Sequence, residues 1–178
     1  MPLTLLLGGA AAGKSRLAVR LAAERGGPVV VIATAEARDE EMAERIRRHR
    51  AARPPEWATV EEPVDLEGAL ADVPEDAIAL VDCLTLWVSN LMDRGLSDDS
   101  ILDQAAKAAS RAASRGRGTI AVTNEVGCGV VPANALARRY RDVLGRVNAV
   151  WAEAAKRAAL VVAGRVIPLT GPEGLGGG

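Results

Sequence analysis

A glycine-rich segment near the start of the chain has the residue types and spacing of a phosphate-binding loop. Its pattern is Gly-x-x-x-x-Gly-Lys-Ser, beginning at Gly8. Glycines permit backbone conformations in which successive N–H groups point at phosphate oxygens, while the lysine adds a positive charge and the serine hydroxyl is a ligand for Mg²⁺. We expect nucleotide phosphates to contact Gly8, Gly9, Ala10, Ala11, Ala12, Gly13, Lys14 and Ser15. The motif alone does not separate a kinase from a nucleotidyltransferase, an ATPase or a GTPase.

A single carboxylate follows the apolar run Ala77 to Val81. A strand that ends in an acid, here Asp82, is typical of the residue that organises Mg²⁺ beside bound phosphates. The alternative is an acid that caps the following helix. With a phosphate loop in the same chain we favour the metal, and the predicted Mg²⁺ ligands are therefore Ser15 and Asp82.

His49 is the only histidine of the chain. Met42, Ile46 and His49 recur at helical spacing, which predicts that His49 faces the body of the protein. Arg45 and Arg53 lie four residues to either side, so an anion near His49 would meet guanidinium groups, and these cations should keep the ring neutral and nucleophilic. Covalent capture of a nucleotide needs such a nucleophile. A structural histidine at the core edge or on a solvated basic face is the alternative.

The elements that must position these residues alternate between short apolar runs and longer amphipathic segments. Five runs are predicted as buried parallel strands: Leu3 to Leu7, Val29 to Ala33, Ala77 to Val81, Thr119 to Thr123 and Leu160 to Ala163. Four segments are predicted as helices: 15–26, 38–52, 98–115 and 134–158. This alternation predicts one α/β domain of the P-loop NTPase type over residues 1–170, with helices on both faces of a mostly parallel sheet. The glycine-rich residues 171–178 predict a flexible tail.

Composition narrows the classes of function. A formal net charge of -1 provides no large basic field, so nucleic acid is not an expected partner. No apolar run approaches the roughly 18 residues of a membrane span, and no basic leader precedes the glycine motif, so we expect a cytoplasmic protein. Cys83 and Cys128 have no C-x-x-C spacing and are expected to be reduced packing residues.

Short segments spread over nearly the whole chain match those of a known family. They are Leu7-Gly8-Gly9 with Gly13-Lys14-Ser15, Ile32-Ala33-Thr34-Ala35, Asp39-Glu40-Glu41-Met42, Arg45-Ile46 with His49, Arg53-Pro54 with Trp57, Thr123-Asn124-Glu125-Val126-Gly127, Val130-Val131-Pro132 and Gly145-Arg146-Val147-Asn148. In these the chain resembles the bifunctional adenosylcobinamide kinase and adenosylcobinamide-phosphate guanylyltransferase family of cobalamin biosynthesis.

The resemblance implies two reactions on one fold. In the first, ATP or GTP phosphorylates the aminopropanol hydroxyl of adenosylcobinamide. In the second, a histidine attacks the α-phosphate of GTP and carries GMP to adenosylcobinamide phosphate, giving adenosylcobinamide-GDP. The residue that matches this histidine is His49, which with Lys14 forms the implied catalytic pair. The resemblance also implies a homotrimer.

Further nucleotide contacts are implied by the resemblance. They are Ala33, Thr34, Ala35, Arg50, Ala51, Ala52, Arg53, Glu61 and Asp82. Arg50 and Arg53 would neutralise a triphosphate, and a carboxylate such as Glu61 can accept hydrogen bonds from guanine. The segment from Asn124 to Gly129 is expected to form the corrinoid side, a subunit contact, or only a strand-to-helix turn.

The chain departs from the family pattern at a few positions. Ala10-Ala11-Ala12 stands where relatives often carry Arg-Ser, Asp82 where a Glu also occurs, and Arg48 where some relatives have another histidine. None of these changes removes a required chemical group. Two other functions stay open from the residues: a simple P-loop kinase with a structural His49, and a non-catalytic nucleotide-dependent switch.

Overall fold

The computed structural model describes residues 2–171, which form a seven-stranded sheet and six helices. In chain order the elements are β1 (Thr4–Leu7), α1 (Lys14–Arg25), β2 (Val29–Ala33), α2 (Glu40–Ala51), β3 (Ala58–Glu61), α3 (Leu66–Asp72), β4 (Ile78–Asp82), α4 (Leu84–Asp93), α5 (Asp98–Ser114), β5 (Thr119–Val122), α6 (Ala135–Ala154), β6 (Arg157–Val162) and β7 (Arg165–Leu169). Apart from Gly171, the predicted tail lies outside the described residues.

The strands lie in the order β3-β2-β4-β5-β1-β6-β7. Every neighbouring pair from β3 to β6 is parallel, and only β7 runs antiparallel, against β6. The predicted α/β class with a mostly parallel sheet is therefore confirmed. The carboxyl ends of the parallel strands meet at one edge, where ligands of such sheets bind.

Helices cover both faces of the sheet, because alternate residues of each strand point to opposite sides. In β1, Leu5 and Leu7 pack in the larger core with α3, α4, α5 and α6, whereas Leu6 packs in a second core against Ala18 and Ala22 of α1. The absence of Phe is met by two buried tryptophans and many small residues in these cores.

Four elements were not predicted from the sequence: β3, α3, α4 and β7. Two boundaries were also wrong. The helix predicted over 134–158 ends at Ala154, and the strand predicted from Leu160 begins at Arg157. The run Ala154-Ala155-Lys156-Arg157-Ala158-Ala159 contains no Gly or Pro to mark the change, so the parallel pairing of β6 with β1 decides it.

Candidate active site

The loop between β1 and α1 has the predicted strand-loop-helix context. Gly8 is buried with φ +152°, and a Cβ there would overlap the carbonyl oxygen of Val161 in β6. Gly13 has φ +99° and immediately precedes the first residue of α1. Ala11 takes a left-handed conformation, with φ 55°. The glycines at both ends are thus required by the backbone path, which leads into a helix N-terminus.

Lys14 is buried, and its ammonium group lies over the loop. Its Nζ donates to the carbonyl oxygens of Gly8 at 2.9 Å and Gly9 at 2.6 Å. Burial lowers the pKa of Lys14 below its ordinary value; Arg45 acts in the same direction and Asp82 opposes it.

Asp82 ends β4, as predicted, and its carboxylate contacts both Arg53 and His49. Its Oδ2 accepts from Arg53 Nη2 at 2.9 Å and lies 3.6 Å from His49 Nδ1. Burial raises the pKa of this carboxyl, but the contacts with His49 and Arg53 outweigh it and hold the pKa below its ordinary value. Asp82 is therefore an anion, and Oδ1 takes no part in these two contacts.

His49 faces the body of the protein, as its helical spacing predicts, with 40% of its side chain exposed. Asp39 caps the start of α2 by accepting from Met42 N at 2.7 Å, and the stripe Met42, Ile46 and His49 is half-buried. The sequence expectation about its electrostatics was incomplete. Arg53 is directed at Asp82, so a carboxylate as well as the arginines sets the field at His49.

The last turn of α2 and the end of β3 lie side by side. Arg50 Nη1 is 3.9 Å from Glu61 Oε1, and about two thirds of each side chain is exposed. Ala51 and Ala52 are exposed beside them. These predicted contacts are therefore together at the edge of the sheet, open to a ligand. Arg53 differs, because 9% of its side chain is exposed and its guanidinium binds Asp82.

Thr34, predicted to line the nucleotide site, is fully buried. Its hydroxyl donates to the carbonyl oxygen of Cys83 at 2.7 Å and accepts from Cys83 N at 2.9 Å. The side chain therefore joins the ends of β2 and β4 and does not present its hydroxyl to a ligand. Ala33 and Ala35, on either side, are half-buried.

The two cysteines are free thiols, in keeping with the prediction. Cys83 is packed at the start of α4, where burial raises its pKa to about 11. Cys128 is exposed, so its prediction as a packing residue was wrong.

The segment that follows β5 runs beside the phosphate loop. The sequence did not predict this position. Glu125 N donates to Gly8 O at 3.1 Å, and Asn124 N donates to the hydroxyl of Thr85 at 2.7 Å. Asn148 of α6 accepts from the buried Thr123 hydroxyl at 2.7 Å. The segment after Asn124 is therefore fixed at the site, while residues 127–131 are exposed.

The donor groups at the site suit a divalent cation that is bound together with phosphate. No group of three or more His, Cys, Asp or Glu side chains among residues 2–171 is arranged to hold a metal without other ligands. Mg²⁺ needs fewer protein ligands when it is shared with phosphates and water, and it prefers oxygen. Ser15 and Asp82 provide a hydroxyl and a carboxylate, so the residues present fit a phosphate-bound Mg²⁺.

Comparison with known proteins decides the family. Residues 4–169 match the family model described as cobinamide kinase / cobinamide phosphate guanyltransferase. The chain belongs to this family. The match covers all thirteen helices and strands of the described residues, and it confirms the resemblance inferred from the motifs and the transferase class that it implied.

Curated relatives of the cobinamide kinase / guanyltransferase family are similar along almost their whole length. The bifunctional adenosylcobalamin biosynthesis protein CobP of Pseudomonas aeruginosa is 48% identical, over 94% of this chain and 96% of the relative. The bifunctional adenosylcobalamin biosynthesis protein CobU of Escherichia coli is 41% identical, over 90% of this chain and 95% of the relative.

Two solved structures with low sequence identity are similar to this chain in fold. A protein of Pyrococcus horikoshii has a TM-score of 0.57 at 10% identity, covering 94% of this chain and 85% of its own. An ATPase from a bacterial type III secretion system has a TM-score of 0.51 at 14% identity, covering 89% of this chain and 50% of its own. Within residues 2–171 no helix is long and apolar enough to cross a membrane.

Proposed function

We propose that this chain is both an adenosylcobinamide kinase and an adenosylcobinamide-phosphate guanylyltransferase, acting on one triphosphate bound at the carboxyl edge of the sheet. The main support for the proposal is that the phosphate loop and His49, the chain's one histidine, lie at the same edge of the sheet. The loop follows β1 and Asp82 ends β4, and because both strands pair with β5 in parallel, the loop and Asp82 lie at the same edge of the sheet; Asp82 is 3.6 Å from His49.

In the kinase reaction, the loop from Gly8 to Ser15 holds the β- and γ-phosphates of ATP or GTP. Lys14 exchanges its two carbonyl contacts for phosphate oxygens, because an ammonium group pairs more strongly with an anion than with a neutral carbonyl. The aminopropanol hydroxyl of adenosylcobinamide attacks the γ-phosphorus and releases its proton to water, while the bond to the β-phosphate oxygen breaks and the nucleoside diphosphate leaves.

In the guanylyltransferase reaction, His49 is the nucleophile. With a proton on Nδ1 facing Asp82, the lone pair lies on Nε2, which attacks the α-phosphorus of GTP as the bond to pyrophosphate breaks. The imidazolium character that develops is stabilised by the Asp82 carboxylate. A phosphate oxygen of adenosylcobinamide phosphate then attacks the same phosphorus, forms adenosylcobinamide-GDP and returns the electron pair to Nε2.

Several exposed groups complete this proposed site. Arg50 is placed to neutralise phosphate charge, and Glu61 to accept from the amino and ring N–H groups of guanine. Mg²⁺, held by Ser15 and Asp82 together with phosphate oxygens, would neutralise charge on the transferring group. Ala33, Ala35, Ala51 and Ala52 supply close backbone or methyl contact.

We also propose a homotrimer in the cytoplasm. Exposed apolar side chains lie on the hairpin of β6 and β7 at one edge of the sheet, where Val162, Ile167 and Leu169 share one side and Val166 points to the other, and an exposed apolar edge is typical of a contact between chains. These residues are Val162, Val166, Ile167 and Leu169, with 44–51% of each exposed. Neither nucleic acid nor a membrane enters the proposed function.

The experiment uses purified protein with adenosylcobinamide and GTP labelled at either the α- or the γ-phosphate. We expect γ-label in adenosylcobinamide phosphate and α-label in adenosylcobinamide-GDP. Transfer of γ-label without any α-label in the corrinoid would support a simple kinase and contradict the proposal. Hydrolysis of GTP without any corrinoid product would contradict both enzyme functions and leave the nucleotide-dependent switch.

A further inference from the structure

The segment that leads from β2 into α2, residues 34–39, is held to α4 by a set of polar side chains. We call this set the connector cluster, and its members are Glu36, Arg38, Asn90, Asp93 and Arg94. The segment matters because α2 carries His49, ten residues beyond its end.

Asn90 is the buried centre of the connector cluster, with 3% of the residue exposed. Its Nδ2 donates to Thr34 O at 2.7 Å and to Pro63 O at 3.1 Å, and its Oδ1 accepts from Arg38 Nη2 at 2.8 Å. An amide in the apolar face of α4 is unfavourable unless it is hydrogen-bonded in this way. Asn90 therefore joins α4 to the segments after β2 and β3.

Glu36 accepts hydrogen bonds from two arginines. Arg94 Nη2 donates to its Oε1 at 2.6 Å and Arg38 Nη2 donates to its Oε2 at 2.8 Å, while Arg38 Nη1 pairs with Asp93. The hydrogen bonds from Arg94 and Arg38 lower the pKa of Glu36 to about 2. A carboxylate clamped on both oxygens fixes direction as well as distance.

The other polar contacts of α2 with the sheet lie at its C-terminal end, where His49 is 3.6 Å from Asp82 and Arg50 is 3.9 Å from Glu61. None of the residues of α2, all of which the structure describes, is fully buried. Arg47 pairs with Glu40 and Glu44, both on the same helix, so these ion pairs hold α2 to nothing else. Just beyond its C-terminal end, Arg53 binds Asp82. The connector cluster is thus the polar attachment at the N-terminal end of α2.

We propose that the connector cluster positions His49 for attack on the α-phosphorus, an inference that rests on the proposed function. Its members are not among the residues proposed to contact nucleotide or corrinoid. They set the exit direction of α2, and a misplacement of about 1 Å at a reacting atom can cost two orders of magnitude in rate. The γ-phosphate reaction depends on the loop after β1, so the cluster should affect the two reactions unequally.

The test compares single-turnover guanylylation of the protein by α-labelled GTP with γ-phosphate transfer to adenosylcobinamide. We expect Glu36→Gln and Arg94→Gln to slow guanylylation about tenfold at saturating GTP, with γ-transfer and the KM for GTP within about twofold of the unaltered protein. Arg47→Gln is the matched control, because it removes an arginine pairing on α2 outside the cluster, and should label at the unaltered rate.

A variant in which the two charges are exchanged separates loss of the ion pair from a general folding defect. The double variant Glu36→Arg with Arg94→Glu restores an ion pair between the segment and α4 and should recover at least part of the guanylylation rate. Guanylylation at the unaltered rate in both single variants overturns the positioning role while the proposed function stands. Equal losses in both reactions also overturn it. If the unaltered protein takes up no α-label, the proposed function fails, and this inference fails with it.

Discussion

Asp82 is the residue on which the two proposed chemistries converge. Its Oδ2 faces both Arg53 and His49, while neither contact uses Oδ1. One oxygen is therefore free of these partners and available to a metal ion beside phosphate, while the other orients the imidazole. Chemically, one carboxylate suffices for both tasks because its two oxygens are used separately.

The backbone at Gly8 leaves no room for a side chain, which predicts the effect of a substitution there. Gly8→Ala places a Cβ against Val161 O at φ +152°, so we expect the free energy of unfolding to fall by about 3 kcal/mol. Gly9→Ala is the control, because no heavy atom of the described residues outside its chain neighbours lies within 4 Å of its added Cβ, and it should change stability by less than about 1 kcal/mol. Urea unfolding measures both, and equal stabilities would contradict the loop geometry.

Glu36 predicts a dependence of stability on acid pH. Its pKa is about 2 in the folded protein against an ordinary 4.5, so ionised Glu36 favours the folded state. That stabilisation is present above pH 4.5 and is lost as pH falls toward 2. The stability difference between the unaltered protein and Glu36→Gln should therefore shrink from pH 6 to pH 3 in urea unfolding.

Solvent screening limits the size of this effect, because 29% of the Glu36 side chain is exposed. Glu56→Gln removes an exposed carboxylate outside the connector cluster and controls for net charge. A Glu36→Gln difference that is the same at both pH values would show that the two arginines do not favour the ionised carboxylate.

Among the elements, those with a local signal were predictable. The order β1, phosphate loop, α1 follows from one motif, and β4 from an apolar run that ends in an acid. α4 was missed because Leu84–Asp93 is short and mostly apolar, and a short apolar run does not by itself distinguish a helix from a strand. β3 is a four-residue, largely exposed edge strand, and β7 contains Pro168, which the sequence pattern counts against a strand.

Arg115 joins α3 to β4, and this role leads to a prediction about stability. This buried residue donates to the carbonyl oxygens of Leu70, Val73, Pro74 and Ala77, and so connects the end of α3 to the start of β4. Arg115→Met leaves these carbonyls without their donor, and we expect a loss of about 3 kcal/mol in the free energy of unfolding. Arg111→Met, at an exposed position of α5, is the control and should cost less than about 1 kcal/mol. A similar loss in both variants would contradict the role of the Arg115 contacts.

Across the whole molecule, the site is assembled from segments that are distant in sequence. β5 lies between β1 and β4, so the phosphate loop and Asp82 are two strands apart at one edge, and α2 brings His49 back to that edge. The sequence predicts each residue type, but the pairing of residue 49 with residue 82 depends on strand order. The burial of Thr34 and the role of Asn90 depend on it too, although a lone amide in the apolar run of α4 was a signal that could have been noticed.

The proposed homotrimer predicts the mass of the protein in solution. Sedimentation equilibrium should give about 55 kDa, three times the chain mass of 18.5 kDa. Ile167→Asp, on β7, should lower this mass toward that of one chain without unfolding it, because the side chain is 51% exposed. A mass of one chain for the unaltered protein would contradict the trimer.

Covalent labelling by α-labelled GTP shows whether His49 carries GMP. The unaltered protein and His49→Ala are incubated with α-labelled GTP, denatured, and digested for peptide mapping. We predict acid-labile, hydroxylamine-sensitive label on the peptide that contains His49, and no label above background in His49→Ala, whose γ-phosphate transfer persists. Full labelling of His49→Ala, or label mapped to any other residue, would contradict the role of His49 as the nucleophile.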